Sequence, residues 1–191
     1  LFLHLPCQHL ANQIIQQYIN DNLIGLVGNI HGPGFVIPVV VHVISDIASD
    51  STSNIPDAQI DAQITALNRA YSNSNGATNI YAHDPEVVFC LAQNLPDLSN
   101  DWTTVNPTGK AGVTRRNDPA LSSVDATNNV QQAALADIGF PPDRYLNIWV
   151  INTITNPGGV AGYSPQPIDP SNPLDGIVVV NDVFGDNTVC P

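Results

Sequence analysis

The chain has 191 residues, 43% of them apolar and 12% charged, enough for one globular domain with a full core plus a short extra segment, and not a disordered composition. Seventeen acidic residues against five basic ones leave a net charge of −12, which repels phosphate backbones and argues against nucleic acid as a partner. Lys110 is the single lysine, methionine is absent, and the apolar start Leu1-Phe-Leu-His-Leu-Pro6 is too short for a signal core or a membrane span. A processed or partial chain is therefore expected.

Taken in order, residues 8–21 place Leu10, Ile14 and Tyr18 four apart, one face of a short amphipathic helix. Gly and Pro at His31-Gly-Pro-Gly34 break regular structure and set a boundary between an N-terminal segment, 1–34, and a main domain, 35–191. Phe35 to Ile44 is rich in valine and predicts a strand buried on both faces, with Pro38 near its start. Helical period follows over 56–72, where Ile60, Ile64, Leu67 and Tyr71 share a stripe. Pro56 suits the first turn, and Asp57 and Asp61 suit the positive end of the helix dipole.

Glu86 to Gln93 predicts a second strand, 94–110 a long polar loop and 112–115 a short strand. Val130, Ala134 and Ile138 predict a helix over 124–138, stopped by Gly139 and Pro141-Pro142. Tyr145 to Ile151 is a strong strand, 156–159 a turn, 160–164 a short strand containing Gly162, 168–173 a loop, and Gly176 to Val180 the last strand. Strands alternating with helices give an α/β fold: a mixed, largely parallel twisted sheet with covering helices.

Seven stretches then share an order with one family. They are Ile37-Pro-Val-Val-Val-His-Val-Ile44, the helix from Asp57 to Tyr71, Val88-Phe-Cys-Leu-Ala92, Gly112-Val-Thr-Arg115, Tyr145-Leu-Asn-Ile-Trp-Val150, Gly162-Tyr163 and Asp175-Gly-Ile-Val-Val179. Over 37–185 the chain resembles the pappalysin family of zinc peptidases, within the metzincins. The resemblance implies a metzincin-like upper subdomain, a sheet roofing a substrate cleft. It also implies a helix after the last strand that carries His-Glu-x-x-His-x-x-Gly-x-x-His. In that family three imidazoles hold zinc, the zinc lowers the pKa of a bound water, and the glutamate takes its proton. No His-Glu-x-x-His occurs in these 191 residues. The chain is thus expected to carry no catalytic residue and no zinc ligand of its own. It would be part of a secreted or cell-surface zinc metalloendopeptidase, truncated before the zinc motif, with a missing C-terminal half or a peptide or protein substrate as partner.

The resemblance carries two site assignments. Gly159, Val160, Ala161, Gly162 and Tyr163 match the edge strand that pairs with extended substrate, against the plainer reading of an ordinary short strand beside a turn. The matched stretches do not reach residues 1–34, but members of that family carry pro-segments, some with a cysteine that holds the zinc, so 1–34 is read as a pro-segment and Cys7 as a candidate inhibitory thiolate, against the plainer reading of a bridged or unpaired cysteine.

Other residues read more blandly. His4, Cys7 and His9 follow no usual zinc spacing. His42, inside an apolar strand, is a hydrogen-bonded core residue rather than a ligand, and His31 and His83 are solvated. Cys90 is a buried thiol or half of a bridge, and Cys190 could pair with a neighbour. Asp169 and Asp175 leave calcium open as a cofactor, but without EF-hand spacing surface acid is the better reading. No Gly-x-Ser-x-Gly elbow, phosphate loop or dinucleotide-binding glycine pattern is present. The rival function is a non-catalytic extracellular structural or filament subunit that uses the same exposed sheet edge for assembly.

Overall fold

Strand β1 (Phe35–Ser45) is the axis of the sheet, and its residues from Val39 to Ser45 are all buried. Branched side chains on both faces of an extended run can be satisfied only by cover on both sides. The computed structural model describes residues 35–47, 52–72, 87–93, 109–156, 158–164 and 174–185. The helix expected over 8–21 and most of the polar loop 94–110 lie outside these residues.

Along one side of β1 runs β5 (Leu146–Ile151), parallel, with Val39 opposite Leu146 and Val43 opposite Val150. The other side is shared end to end by two short parallel strands. β2 (Val87–Leu91) takes Phe35 to Val39, and β3 (Val113–Asn117) takes Val41 to Ser45. Gly112 makes the seam between them. Its φ is +78°, and a Cβ there would lie 2.7 Å from Leu91 Cβ and 2.9 Å from the amide nitrogen of Ala92. Beyond β5 lie β8 (Gly176–Val180), parallel, and then β7 (Gly162–Tyr163), antiparallel. The sheet order is β2-β1-β5-β8-β7, with β3 also on β1.

Helix α1 (Asp57–Tyr71) starts at Pro56, as expected, and buries Gln59, Ile60 and Ile64. With Val39, Val41, Val43, Ile148 and Val150 these isoleucines form the core of one face. The other face is built from Ile44, Trp149, Ile151, Val178 and Val180, covered by Leu135 of α2 (Asn129–Asp137). Alternation along β5 thus sends Ile148 and Val150 one way and Trp149 and Ile151 the other. Each such side chain contributes roughly 1.5–3 kcal/mol by leaving water.

The helix expected over 124–138 is shorter than its four-residue spacing suggests. Ser123–Asp125 is instead strand β4, paired in parallel with β6 (Thr153–Asn156) in a second, two-stranded sheet. The Asp125 carboxylate accepts from the backbone N–H of Thr127 and turns the chain there. Asn128 then caps α2, its side chain accepting from the N–H groups of Val130 and Gln131. Val130, expected on the buried stripe, is 78% exposed, and Leu135 is the residue that enters the core.

Candidate functional site

The strand predicted over 160–164 sits at the end of the sheet, and no described strand lies beyond it. The turn before it contains Gly159 at φ +77°, with nothing within 4 Å of an added Cβ. Val160 packs on the α2-side core. The Ala161 carbonyl accepts from the Val180 N–H at 2.9 Å. In the ladder Gly162 lies opposite Val179 and Tyr163 opposite Val178. Backbone groups alternate in direction along an antiparallel strand, so with Ala161 facing β8 the N–H and C=O of Gly162 face outward. A Cβ on Gly162 would come 2.9 Å from the Val178 carbonyl oxygen, so glycine is what allows β7 to approach β8 this closely.

The strand is held by side chains as well. The Ser164 hydroxyl donates to the Gly176 carbonyl at 2.9 Å. The Tyr163 hydroxyl accepts from Nε2 of Gln132 at 2.9 Å and donates to its Oε1 at 3.0 Å. Burial pushes the Tyr163 phenol up from its ordinary value, with the nearby Asp125 charge adding to the rise and the Gln132 bond opposing it. Asp125 is itself held below the usual carboxylate range by the hydroxyl and N–H of Thr127.

The two edges of the main sheet differ in charge. β3 carries Arg115 and Arg116. Arg115 donates to Asn54 Oδ1, the Ile55 carbonyl and Asp57, and Arg116 pairs with Asp118 at 3.0 Å. Charge on an edge strand discourages pairing with another chain. The stretch from Gly158 to Ser164 has no charged residue at all. Beside it, on the α1 side of the sheet, Ile177 and Val179 are only partly buried, while Val178 is fully buried on the opposite face.

Among the described residues the remaining candidates do not assemble into a second site. His42 is 1% exposed and committed at both nitrogens, to Thr114 Oγ1 at 2.8 Å and Asn147 Oδ1 at 2.9 Å. It stacks between Phe140 and Trp149, at centroid distances of 5.7 and 5.6 Å. Burial lowers its pKa to about 4, against the smaller opposing effect of the Asn147 bond. Cys90 is disulfide-bonded. Cys7, Cys190, His4, His9, His31, His83 and Asp169 lie outside the described residues. Asp175 borders a shallow groove of about 370 Å³ with Val36, Pro142, Asp143, Arg144 and Tyr145, whose lining has no histidine, cysteine or serine. Among the described residues no three His, Cys, Asp or Glu side chains come together to hold a metal. Nor is any described helix long and apolar enough to cross a membrane. Gln132 was not visible as a site residue in the sequence. It lies 31 positions from Tyr163 on a helix whose pattern signals only cover for the sheet.

No family model and no curated protein matches the chain. Among solved structures the fold is of the metzincin type, a class of metallopeptidases. The likeness is to mirolysin. Mature mirolysin of Tannerella forsythia in complex with a cleaved peptide is 27% identical with a TM-score of 0.58, covering 80% of this chain and 55% of that one. Mirolysin in complex with a ligand designated compound 9 is 26% identical with a TM-score of 0.59, covering 82% and 56%. A point mutant of promirolysin from Tannerella forsythia is 26% identical with a TM-score of 0.56, covering 95% and 57%. The chain therefore spans little more than half the length of these structures. The likeness supports the metzincin class and does not single out the pappalysins within it.

Proposed function

We propose that this chain is the sheet-bearing part of a secreted, pappalysin-like zinc metalloendopeptidase, and that Gly159, Val160, Ala161, Gly162 and Tyr163 hold an extended peptide against the sheet edge. The observation that carries the reading is the uncharged edge at β7, with Gly162 turned outward, in a sheet similar to that of mirolysin bound to a cleaved peptide. Pairing through main-chain groups gives affinity with little demand on peptide sequence. The partly covered Ile177 and Val179 offer apolar contact beside that strand. Zinc and the groups that would activate water belong, in this reading, to residues outside those described, so no step of hydrolysis is assigned to the present side chains.

Residues 1–34 keep the role of a pro-segment. Coverage of this chain rises from 80% with mature mirolysin to 95% with promirolysin, which supports that reading. Cys7 stays a candidate inhibitory thiolate within it.

The test is metal analysis and peptide hydrolysis on the polypeptide of the complete reading frame, with and without a chelator. About one zinc per chain and chelator-sensitive cleavage are expected. A metal-free, inactive protein that self-associates through β7 would instead establish the structural-subunit reading.

A further inference from the structure

Strand β7 is two residues long. A pairing that short has almost no stability of its own, yet the proposed function needs it held in one register. The side chain that reaches it comes from α2. That helix is itself fixed at its start: Asn128 caps it, and Gln131 accepts from the Asp125 N–H at 2.8 Å and donates to the Ala120 and Ser123 carbonyls at 3.0 Å. The next residue, Gln132, turns toward β7 and brackets the Tyr163 hydroxyl with both ends of its amide, while Nε2 also reaches the Asp125 carbonyl at 3.3 Å. The amide offers that hydroxyl a donor and an acceptor together. The ring of Tyr163 is packed against the α2-side core, so fixing its tip fixes the whole side chain and with it the adjacent Gly162.

We propose that Gln132 is a positioning residue for the sheet edge: through the Tyr163 hydroxyl it locks β7 in the register that presents the Gly162 backbone to an extended peptide. The peptide half of this statement rests on the function proposed above, and the lock itself does not. The chain from β4 through α2 to β7 is then one unit, in which adjacent glutamines tie one helix to two strands.

Two measurements on the chain as it stands decide the matter. The Val180 amide donates to Ala161, so its hydrogen exchange reports undocking of β7. Gln132→Ala and Tyr163→Phe should each speed that exchange about fivefold, the loss of roughly one neutral hydrogen bond. The double variant should add little, because both remove the same contact. Exchange at β1 and β5 should be unaltered. Affinity for an unstructured, extended peptide should fall by a similar factor in both variants, and less in Gln132→Glu, which still accepts from the hydroxyl. Unchanged Val180 exchange would overturn the lock. Faster exchange with undiminished peptide affinity would overturn the positioning role. Absence of peptide binding by the wild-type chain would remove the peptide reading, and the exchange comparison would still decide the lock.

Discussion

Asn147 and His42 meet across the β1–β5 pair, Asn147 Oδ1 accepting from His42 Nε2 at 2.9 Å, although the ladder places Asn147 opposite Val40. The same Asn147 amide accepts from the Phe140 N–H at 2.9 Å and donates to the Phe140 carbonyl at 2.7 Å. One buried side chain thus joins two strands to the loop after α2. The His42 ring is neutral in this arrangement, its Nε2 carrying the proton and its Nδ1 accepting from Thr114.

The buried ring makes stability depend on pH. The folded-state pKa of His42 is about 4 against an ordinary 6.5, so the unfolded chain binds the extra proton first as pH falls. Its contribution is complete above pH 6.5, declines below that, and is gone once pH passes through 4. The integrated loss is about 3 kcal/mol at about 1.4 kcal/mol per pH unit. Urea unfolding at pH 7, 5.5 and 4 should show the decline, and a flat profile across that window would contradict it.

The segment after β8 is pinned to α1. Gln59 Nε2 donates to the carbonyls of Asn181 at 2.9 Å and Phe184 at 2.6 Å, and Gln63 accepts from the Gly185 N–H at 2.7 Å. Phe184 is 2% exposed in the α1-side core. Gln59→Leu leaves both carbonyls without that donor in a buried setting, at a cost of about 2–3 kcal/mol. Limited proteolysis should then cut within 181–185 faster than in the parent chain. Equal cutting rates would show that the segment is held without Gln59.

The seam at Gly112 tolerates no side chain. Its positive φ disfavours any other residue, and an added methyl meets Leu91 and the Ala92 backbone. Gly112→Ala should lower the unfolding free energy by about 2–3 kcal/mol through strain and overpacking. A thermal midpoint equal to the parent's would mean that β2 and β3 can separate without loss.

Where local chemistry and burial agree, the fold is readable from sequence. The valine run of β1 spans Phe35–Ser45 against an expected end at Ile44, Pro56 opens α1, and the last strand falls at Gly176–Val180 as read. The misreading at 124–138 came from treating Val130, Ala134 and Ile138 as one stripe. The Asp125 turn and the Asn128 cap interrupt it, and only pairing with Ile154, thirty residues away, makes Val124 a strand residue. The site is less legible. The edge strand at Gly159 to Tyr163 is expected only from the family resemblance, and the residues themselves show no more than a short strand whose glycine marks close backbone approach. Gln132 and the charge contrast between the β3 and β7 edges depend on tertiary neighbours that no local pattern encodes.

The most direct test of the central claim is a titration of the isotope-labelled chain with an extended, unstructured peptide, followed at the backbone amides. Shifts should be largest at Gly162, spread to Val160 through Tyr163, and leave Val113 to Asn117 on the charged edge unmoved. Saturable shifts along β3, or none at β7 at millimolar peptide, would contradict the account.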